Sequence, residues 1–199
     1  MNPRIAQADA LLVEYGWEVA HARHVRDLAL ALFDQLQSLH ELGSAERDLL
    51  EAAALLHDIG WTVSGSKHHK HSYRLIHDNG SRLTGFTLTE IELIANVARY
   101  HRKALPSLGH DPYANLPAPQ REVVQRLAAL LRLADGLDRP HWQTVTNLQC
   151  RLVNAHVEIV ITAPDHAADH IAGAARKRDL FETVFARPIE FIAQPTSTA

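Results

Sequence analysis

The hydrophobic pattern of this 199-residue chain changes its period at Pro140. Before that residue, apolar side chains recur at helical spacing, whereas residues 148–152 and 157–161 place them at every second position. Helical spacing predicts amphipathic helices, and alternation predicts half-buried strands. We therefore predict a mainly α fold, with a helical bundle over residues 1–140 and a small ββαβ appendage over residues 141–193.

The element boundaries follow from the breaks in these patterns. Helices are predicted at residues 2–15, 18–39, 44–58, 71–78, 89–101, 120–137 and 167–185. The appendage should contain a hairpin that turns at Asn154-Ala155 and a last strand over residues 188–192. Residues 104–119 form a proline-rich loop, of a length that is often functional, and the tail 194–199 is expected to be disordered.

Composition excludes several classes of protein. The net charge of −3 argues against bulk nucleic-acid binding, which needs a basic surface. The single cysteine, Cys150, rules out an internal disulfide and a thiolate zinc site. No run approaches ~18 consecutive apolar residues, so no membrane span is expected. The N-terminus lacks a signal-peptide pattern, and a cytoplasmic location is the expectation.

The chain has 14 histidines, where roughly a third as many would be usual. The most informative of them is His57, which is followed by Asp58 at the end of the apolar run 49–56 and shortly before Gly60. An imidazole and a carboxylate at a helix end can both turn toward one cation. Five other histidines are expected in solvated or loop positions: His40, His77, His156, His166 and His170.

Four further residues are candidate partners of His57-Asp58: His24, His71, His101 and Asp135. Each lies at a helix end or on an apolar helix, where a carboxylate such as Asp135 is costly unless it is paired or coordinated. Imidazoles with two carboxylates suit manganese, iron, magnesium, nickel or zinc better than a soft metal. The pattern predicts a site for one or two divalent ions between helices.

Each of these residues also has an ordinary structural interpretation. Asp135 alone could be an interior ion-pair partner of Arg132 or Arg139, and His57-Asp58 could cap its helix. His21, one turn before His24, is a weaker ligand candidate.

The loop after Gly60 and several helix ends carry basic residues that could bind phosphate. The candidates are Lys67, Lys70, Arg102, Lys103 and Arg139. His68 and His69 are expected to be solvated or to attract phosphate rather than to bind metal. The run 176–178 is interpreted as a solvated face or a secondary anion site.

The order His24, His57-Asp58, Asp135 resembles that of the HD superfamily of metal-dependent phosphohydrolases. More narrowly, residues 10–192 resemble the C-terminal HD-like region of the exopolyphosphatase/guanosine pentaphosphate phosphohydrolase family. The segments that carry this resemblance are His71-Ser72-Tyr73, Gly85-Phe86, and residues 98–103, 131–139 and 180–185.

The resemblance implies an HD-type helical bundle in which His24, His57, Asp58 and Asp135 hold one ion. It also implies that His71 and His101 help to hold a second. Metal-activated water would then attack the phosphorus of a nucleotide, cyclic nucleotide or other small phosphate ester, with His57 and Asp58 as catalytic residues.

Two alternatives remain open at this point. One is a non-catalytic regulatory module that binds polyphosphate or an alarmone, and the other is a helical interaction domain with a vestigial metal site. The chain has no room for the large actin-like domains of the family, so a conventional exopolyphosphatase is not expected. The apolar hairpin offers an edge at which a homodimer could form.

Overall fold

The computed structural model describes residues 2–164 and 166–194. Its helices are α1 (Pro3–Tyr15), α2 (Val19–Gln35), α3 (Gln37–His40), α4 (Ser44–Leu56), α5 (His68–Asp78), α6 (Leu88–Arg99), α7 (Asp111–Ala114), α8 (Ala118–Leu137), α9 (Ala167–Ala175) and α10 (Asp179–Phe185). Its strands are β1 (Asn147–Val153), β2 (His156–Thr162) and β3 (Ile189–Gln194). The mainly α fold with a small C-terminal ββαβ appendage is confirmed.

The three strands form one sheet in the order β1-β2-β3. β1 and β2 pair antiparallel, with Val153 opposite His156 across the Asn154-Ala155 turn, and Asn154 has a φ of +49°. β2 and β3 pair parallel. A parallel pair needs a crossover connection, and α9 and α10 supply it.

The structure corrects several predicted boundaries. The single helix predicted at 167–185 is two helices, separated at residues 176–178. α5 begins at His68, one turn before the predicted start. Gln194, predicted to be in a disordered tail, ends β3, and the rest of that predicted tail lies outside the described residues.

The centre of the bundle is α4, which packs against α1, α2, α6 and α8. Its residues 52–56 are completely buried. This end of the helix is apolar on all sides, and such a segment is stable only when neighbours surround it. His57 and Asp58, which follow the buried carboxyl end of this helix, therefore lie in the middle of the bundle.

α8 joins the bundle to the appendage, since it contacts α2 and α6 on one side and α9 and α10 on the other. The contact with α9 is close because it is made through glycines. A Cβ on Gly136 would lie 2.7 Å from the Cα of Ala174, and a Cβ on Gly173 would lie 2.1 Å from the carbonyl oxygen of Gly136. The buried cluster includes residues on both sides of Pro140, such as Leu137 and Phe181. The domain boundary at 140 stays a prediction.

No helix within residues 2–164 and 166–194 is long and apolar enough to cross a membrane.

Candidate metal centre

His57 and Asp58 lie where α4 ends and a 3-10 turn begins at Ile59. Gly60 lets the start of α5 approach this turn, because a Cβ there would lie 2.2 Å from the carbonyl oxygen of His68. The Gly60 N–H donates to Ser72 Oγ at 2.9 Å. The glycine that follows His57-Asp58 thus brings the first turn of α5 against Asp58.

Four imidazoles converge on the Asp58 carboxylate. His21, His57 and Asp58 form one set whose candidate ligand atoms all lie within 4.8 Å of one another, and Asp58, His68 and His101 form a second. Asp58 Oδ2 is 3.7 Å from His57 Nε2, and Oδ1 is 3.1 Å from His68 Nε2 and 3.4 Å from His101 Nε2. Asp58 is shared by both sets.

Asp135, on the last turn of α8, lies beside the first set. Its Oδ1 is 3.7 Å from His21 Nε2 and 4.0 Å from His57 Nε2. Its Oδ2 accepts from the ammonium of Lys177. The first set therefore has a second carboxylate within reach of the same point.

The orientation of two of these rings is fixed by main-chain carbonyls one turn back. His57 Nδ1 lies 2.7 Å from the oxygen of Ala54, and His101 Nδ1 lies 2.6 Å from that of Ala98. A carbonyl only accepts, so each Nδ1 carries the proton and each Nε2 presents a lone pair to the centre.

His21 is held by a carboxylate instead, with its Nδ1 2.8 Å from Asp138 Oδ2. Metal-ligating histidines characteristically donate their second nitrogen to a carboxylate or carbonyl, which fixes the tautomer and the ring orientation. His21 shows this arrangement with a carboxylate, and His57 shows it with a carbonyl.

The centre contains buried polar atoms that have no hydrogen-bond partner among the described residues: Nε2 of His21, Nε2 of His57 and Oδ1 of Asp58. Leaving such an atom unsatisfied costs about 1–3 kcal/mol. Three of them around one place, all metal-ligating in type, fit a divalent cation.

The charges of the centre agree with this interpretation. Burial lowers the pKa of His57, and it lowers the pKa of His101 to well below its ordinary value, so burial favours the neutral form in which an imidazole can bind a metal. Burial raises the pKa of Asp58, but the surrounding imidazoles outweigh it and the pKa lies below its usual value. His21 differs, because the carboxylates of Asp135 and Asp138 overcome its burial and raise its pKa to about 9.

A stack of aromatic rings supports His68. Trp61 stacks on Trp17 at 5.3 Å between ring centroids and on His68 at 4.5 Å, and His68 in turn stacks on His101 at 5.4 Å. A Cβ on Gly65 would lie 2.3 Å from the Trp61 ring. Trp61 is a supporting residue that the sequence pattern did not reveal.

The centre lies at the base of a cleft of about 540 Å³. The basic residues that line the cleft are Arg102, Lys103, Arg132, Arg139, Arg176 and Lys177. Although the chain as a whole has a net charge of −3, positive charge is concentrated here. Three carboxylates, Asp58, Asp135 and Asp179, also line the cleft, so its basic residues outnumber its acidic ones. A cleft with such an excess of positive charge attracts anions.

The structure brings together four of the predicted metal ligands: His57, Asp58, His101 and Asp135. It does not bring His24 or His71 to them, because each lies one helical turn beyond the histidine that faces the centre. His21 and His68 occupy those places and are 0% and 1% exposed, so the expectation that His68 is solvated is wrong.

His24 lies instead in a shallow groove with Asp27, Gln35 and residues 145–148. His71 is half-buried on α5 and belongs to neither of the two sets.

Three of the predicted phosphate-binding residues, Arg102, Lys103 and Arg139, line the cleft. Lys67 and Lys70 are exposed and lie outside its lining, since the first turn of α5 directs His68 inward in their place.

Three basic residues that were given no place in the site, Arg132, Arg176 and Lys177, line the cleft. Arg132 pairs with Asp179 at 2.9 Å rather than with Asp135, whose partner is Lys177. Of the two interpretations given for residues 176–178, the solvated face fits Arg178, which lies outside the lining and pairs with Glu182. Arg176 and Lys177 line the cleft, as the anion-site interpretation requires.

Residues 4–175 match the family described as Ppx/GppA phosphatase, domain III. The chain belongs to this family. The match confirms the narrower resemblance found in the sequence, whereas membership of the HD superfamily stays a prediction.

Curated relatives agree with the assignment of this domain III chain. It is 33% identical over 134 residues to a guanosine-5'-triphosphate,3'-diphosphate pyrophosphatase of Aeromonas hydrophila subsp. hydrophila, which covers 67% of the chain and 26% of the relative. Proteins of the same name from Photobacterium profundum and Aeromonas salmonicida are 33% and 37% identical over 117 and 95 residues. These matches cover 59% and 47% of the chain, and 22% and 19% of the relatives. The chain thus spans about a quarter of the length of the curated relatives it matches.

Proposed function

We propose that this domain III chain is a metal-dependent phosphohydrolase acting on a small phosphorylated substrate. The observation that carries the proposal is the position of Asp58. Its carboxylate is shared by two sets of buried metal-ligating atoms at the base of a basic cleft. Two metal sites bridged by a carboxylate are a recurrent arrangement for phosphoester hydrolysis.

The ligands divide between two places. His21, His57 and Asp135, with Asp58, would hold one divalent ion, and His68 and His101, with Asp58, would hold the other. The donors are nitrogen and oxygen atoms, which suit manganese, iron, nickel, zinc or magnesium. When bound, such ions activate water and polarise the phosphoryl oxygens.

The chain's own residues supply positioning and charge. The described residues that line the cleft include no serine, threonine or cysteine. The aspartates and histidines of the centre are assigned to the two ions, so we infer that water is the attacking group. Arg102 Nη1 lies 3.1 Å from His68 Nε2, which places a guanidinium beside the second set of ligands. A preorganised cation there would stabilise the negative charge that develops on the phosphoryl group.

The substrate class rests on the cleft and on the relatives. Six basic side chains line the cleft against three carboxylates, and this excess of positive charge favours a substrate with more than one negative charge. The relatives' name specifies a guanosine carrying phosphates at two positions, so nucleotides of that kind belong in the test panel beside cyclic nucleotides and simple phosphoesters.

The test starts from protein stripped with a chelator and reloaded with Mn²⁺. Metal content is measured per chain, and phosphate release is measured on the panel before and after reloading. Turnover that requires the metal supports the proposal. A chain that binds no metal at all would contradict it.

A non-catalytic anion-binding module is the second candidate, and the basic cleft favours it. Metal-loaded protein that binds polyphosphate or a guanosine polyphosphate with no turnover on any panel member would select this function over the first.

A further inference from the structure

Lys177 is the point at which the appendage reaches the metal centre. It lies between α9 and α10, which the close contact of Gly136 with Gly173 holds over the last turn of α8. Its side chain is only 14% exposed. An ammonium so nearly buried requires a specific partner.

That partner is the Asp135 carboxylate. Lys177 Nζ donates to Oδ2, while Oδ1 of the same carboxylate faces His21 Nε2 at 3.7 Å. Burial raises the pKa of Asp135, but the Lys177 charge and the neighbouring imidazoles outweigh it and hold the pKa well below its usual range. Lys177 is thus the counter-ion of a proposed metal ligand.

Lys177 differs from the other enclosed cation of the cleft. Arg132 is 3% exposed, pairs with Asp179, and also donates to the main-chain oxygen of Tyr100 at 3.2 Å. Those contacts involve no member of the metal centre. A cation bound at the first set of ligands would pair with the Asp135 carboxylate and leave Lys177 without its partner.

We propose that Lys177 is a charge-exchange residue: it neutralises Asp135 in the metal-free protein and binds the substrate's phosphate once a metal ion has taken its place on Asp135. This proposal rests on the proposed function. A lysine suits the role because its ammonium is a compact charge on a flexible stem with three donors. Metal binding would then complete the anion site.

The exchange makes two predictions of opposite sign for K177M. Metal affinity should rise roughly tenfold, because a nearby charge of the same sign as the metal is removed. Phosphate affinity of the metal-loaded protein should fall roughly tenfold, because one charge-assisted hydrogen bond is lost. A residue with only a packing role would not change the two affinities in opposite directions.

The experiment is a calorimetric titration of chelator-stripped protein with Mn²⁺ alone, followed by a titration of the Mn²⁺-loaded protein with inorganic phosphate. The variants are K177M, K177R and R178M. K177R keeps the charge and should keep the metal affinity of the wild type. R178M removes a neighbouring charge outside the cleft, where Arg178 pairs with Glu182 at 3.5 Å, and should change neither affinity.

Two failures can be told apart. If K177M binds Mn²⁺ no more tightly than the wild type while the wild type does bind it, charge exchange is wrong and the phosphohydrolase proposal stands. If the wild type binds no Mn²⁺, both proposals are overturned. If K177M binds both Mn²⁺ and phosphate more weakly than the wild type, Lys177 only maintains the fold of the site.

Discussion

The buried imidazole of His40 and those around Asp58 are held differently. At His40, Nε2 lies 2.8 Å from the oxygen of Phe33, and Nδ1 accepts the N–H of Leu42 at 3.0 Å. At His57, Nδ1 is bound to the oxygen of Ala54 while Nε2 has no hydrogen-bond partner among the described residues. Burial alone therefore does not mark a functional histidine. An unpaired nitrogen close to a carboxylate shared with other imidazoles distinguishes His57 from His40.

The contrast indicates that His40 contributes to the stability of the fold, whereas the histidines around Asp58 serve ligand binding. His40, expected to be solvated, is completely buried and closes the turn after α3 with its two hydrogen bonds. Its contribution is to stability. The histidines around Asp58 leave polar atoms unsatisfied, and a protein retains such a cost where a ligand or a reaction removes it.

Removing the shared carboxylate should have the largest effect. We expect Asp58→Ala to lose both ions and to lower hydrolysis by roughly 10³-fold or more, as when one member of a catalytic unit is removed. Metal content by elemental analysis and phosphate release check this. Asp78→Ala, on an exposed carboxylate at the end of α5, is the matched control. Full metal content in Asp58→Ala would remove the central claim.

The next comparison lies on α2. His21→Gln should reduce metal affinity by more than about 100-fold, because its Nε2 faces the centre, whereas His24→Gln should leave it unchanged. Calorimetric titration of the two variants decides between them. Equal losses in both would show that the turn of α2 next to the centre has been assigned incorrectly.

The same comparison can be made on α5. His68→Gln should abolish only the second ion, so the metal stoichiometry falls from two to one, while His71→Gln keeps both. Ion counting by mass spectrometry under native conditions measures this directly. A wild-type protein that binds only one ion would refute the division into two sites.

These pairs show why the sequence predicted the cluster around Asp58 but not every residue that lies in it. His21 and His24, like His68 and His71, are three residues apart, and such residues share one face of a helix. Periodicity therefore gives the face and not the turn. The turn is set by how far each helix slides against the end of α4, and that depends on contacts such as Gly60 with α5.

The predicted ligands that the structure brings together have local signals in the sequence. His57 and Asp58 end an apolar run, and Asp135 is an isolated carboxylate on an apolar helix. Lys177 has no such signal, because its run of basic residues also fits a solvated face. It enters the cleft only because Gly136 and Gly173 allow α8 and α9 to approach each other closely.

A smaller effect on metal affinity is expected from Asp138, which binds the far nitrogen of His21. Asp138→Asn keeps the shape of the side chain but weakens its hold on His21 Nδ1, and metal affinity should fall about 10–100-fold. Asp138 Oδ2 also accepts from Gln143 Nε2 at 3.1 Å. Gln143→Ala removes that contact alone and should leave metal affinity close to the wild type. If Gln143→Ala lost as much metal affinity, the cause would be the conformation of the loop after α8 and not the hydrogen bond to His21.

His40 supplies the smallest effect and completes the comparison. His40→Leu should keep its metal but lose about 1–3 kcal/mol of unfolding free energy at pH 7.5, because the Phe33 carbonyl and the Leu42 N–H lose their partner. Denaturant unfolding of metal-stripped protein at several pH values measures this.

The pH dependence of that loss tests its cause. Burial lowers the pKa of His40 below its ordinary value of 6.5, so the fold favours the neutral ring. The stability that this ring contributes is therefore complete above pH 6.5 and declines as the pH falls from there toward the folded pKa. The difference between wild type and His40→Leu should shrink over that range. If it grew instead, the ring would be protonated in the fold, and His40 would need a charge partner in place of its two main-chain hydrogen bonds.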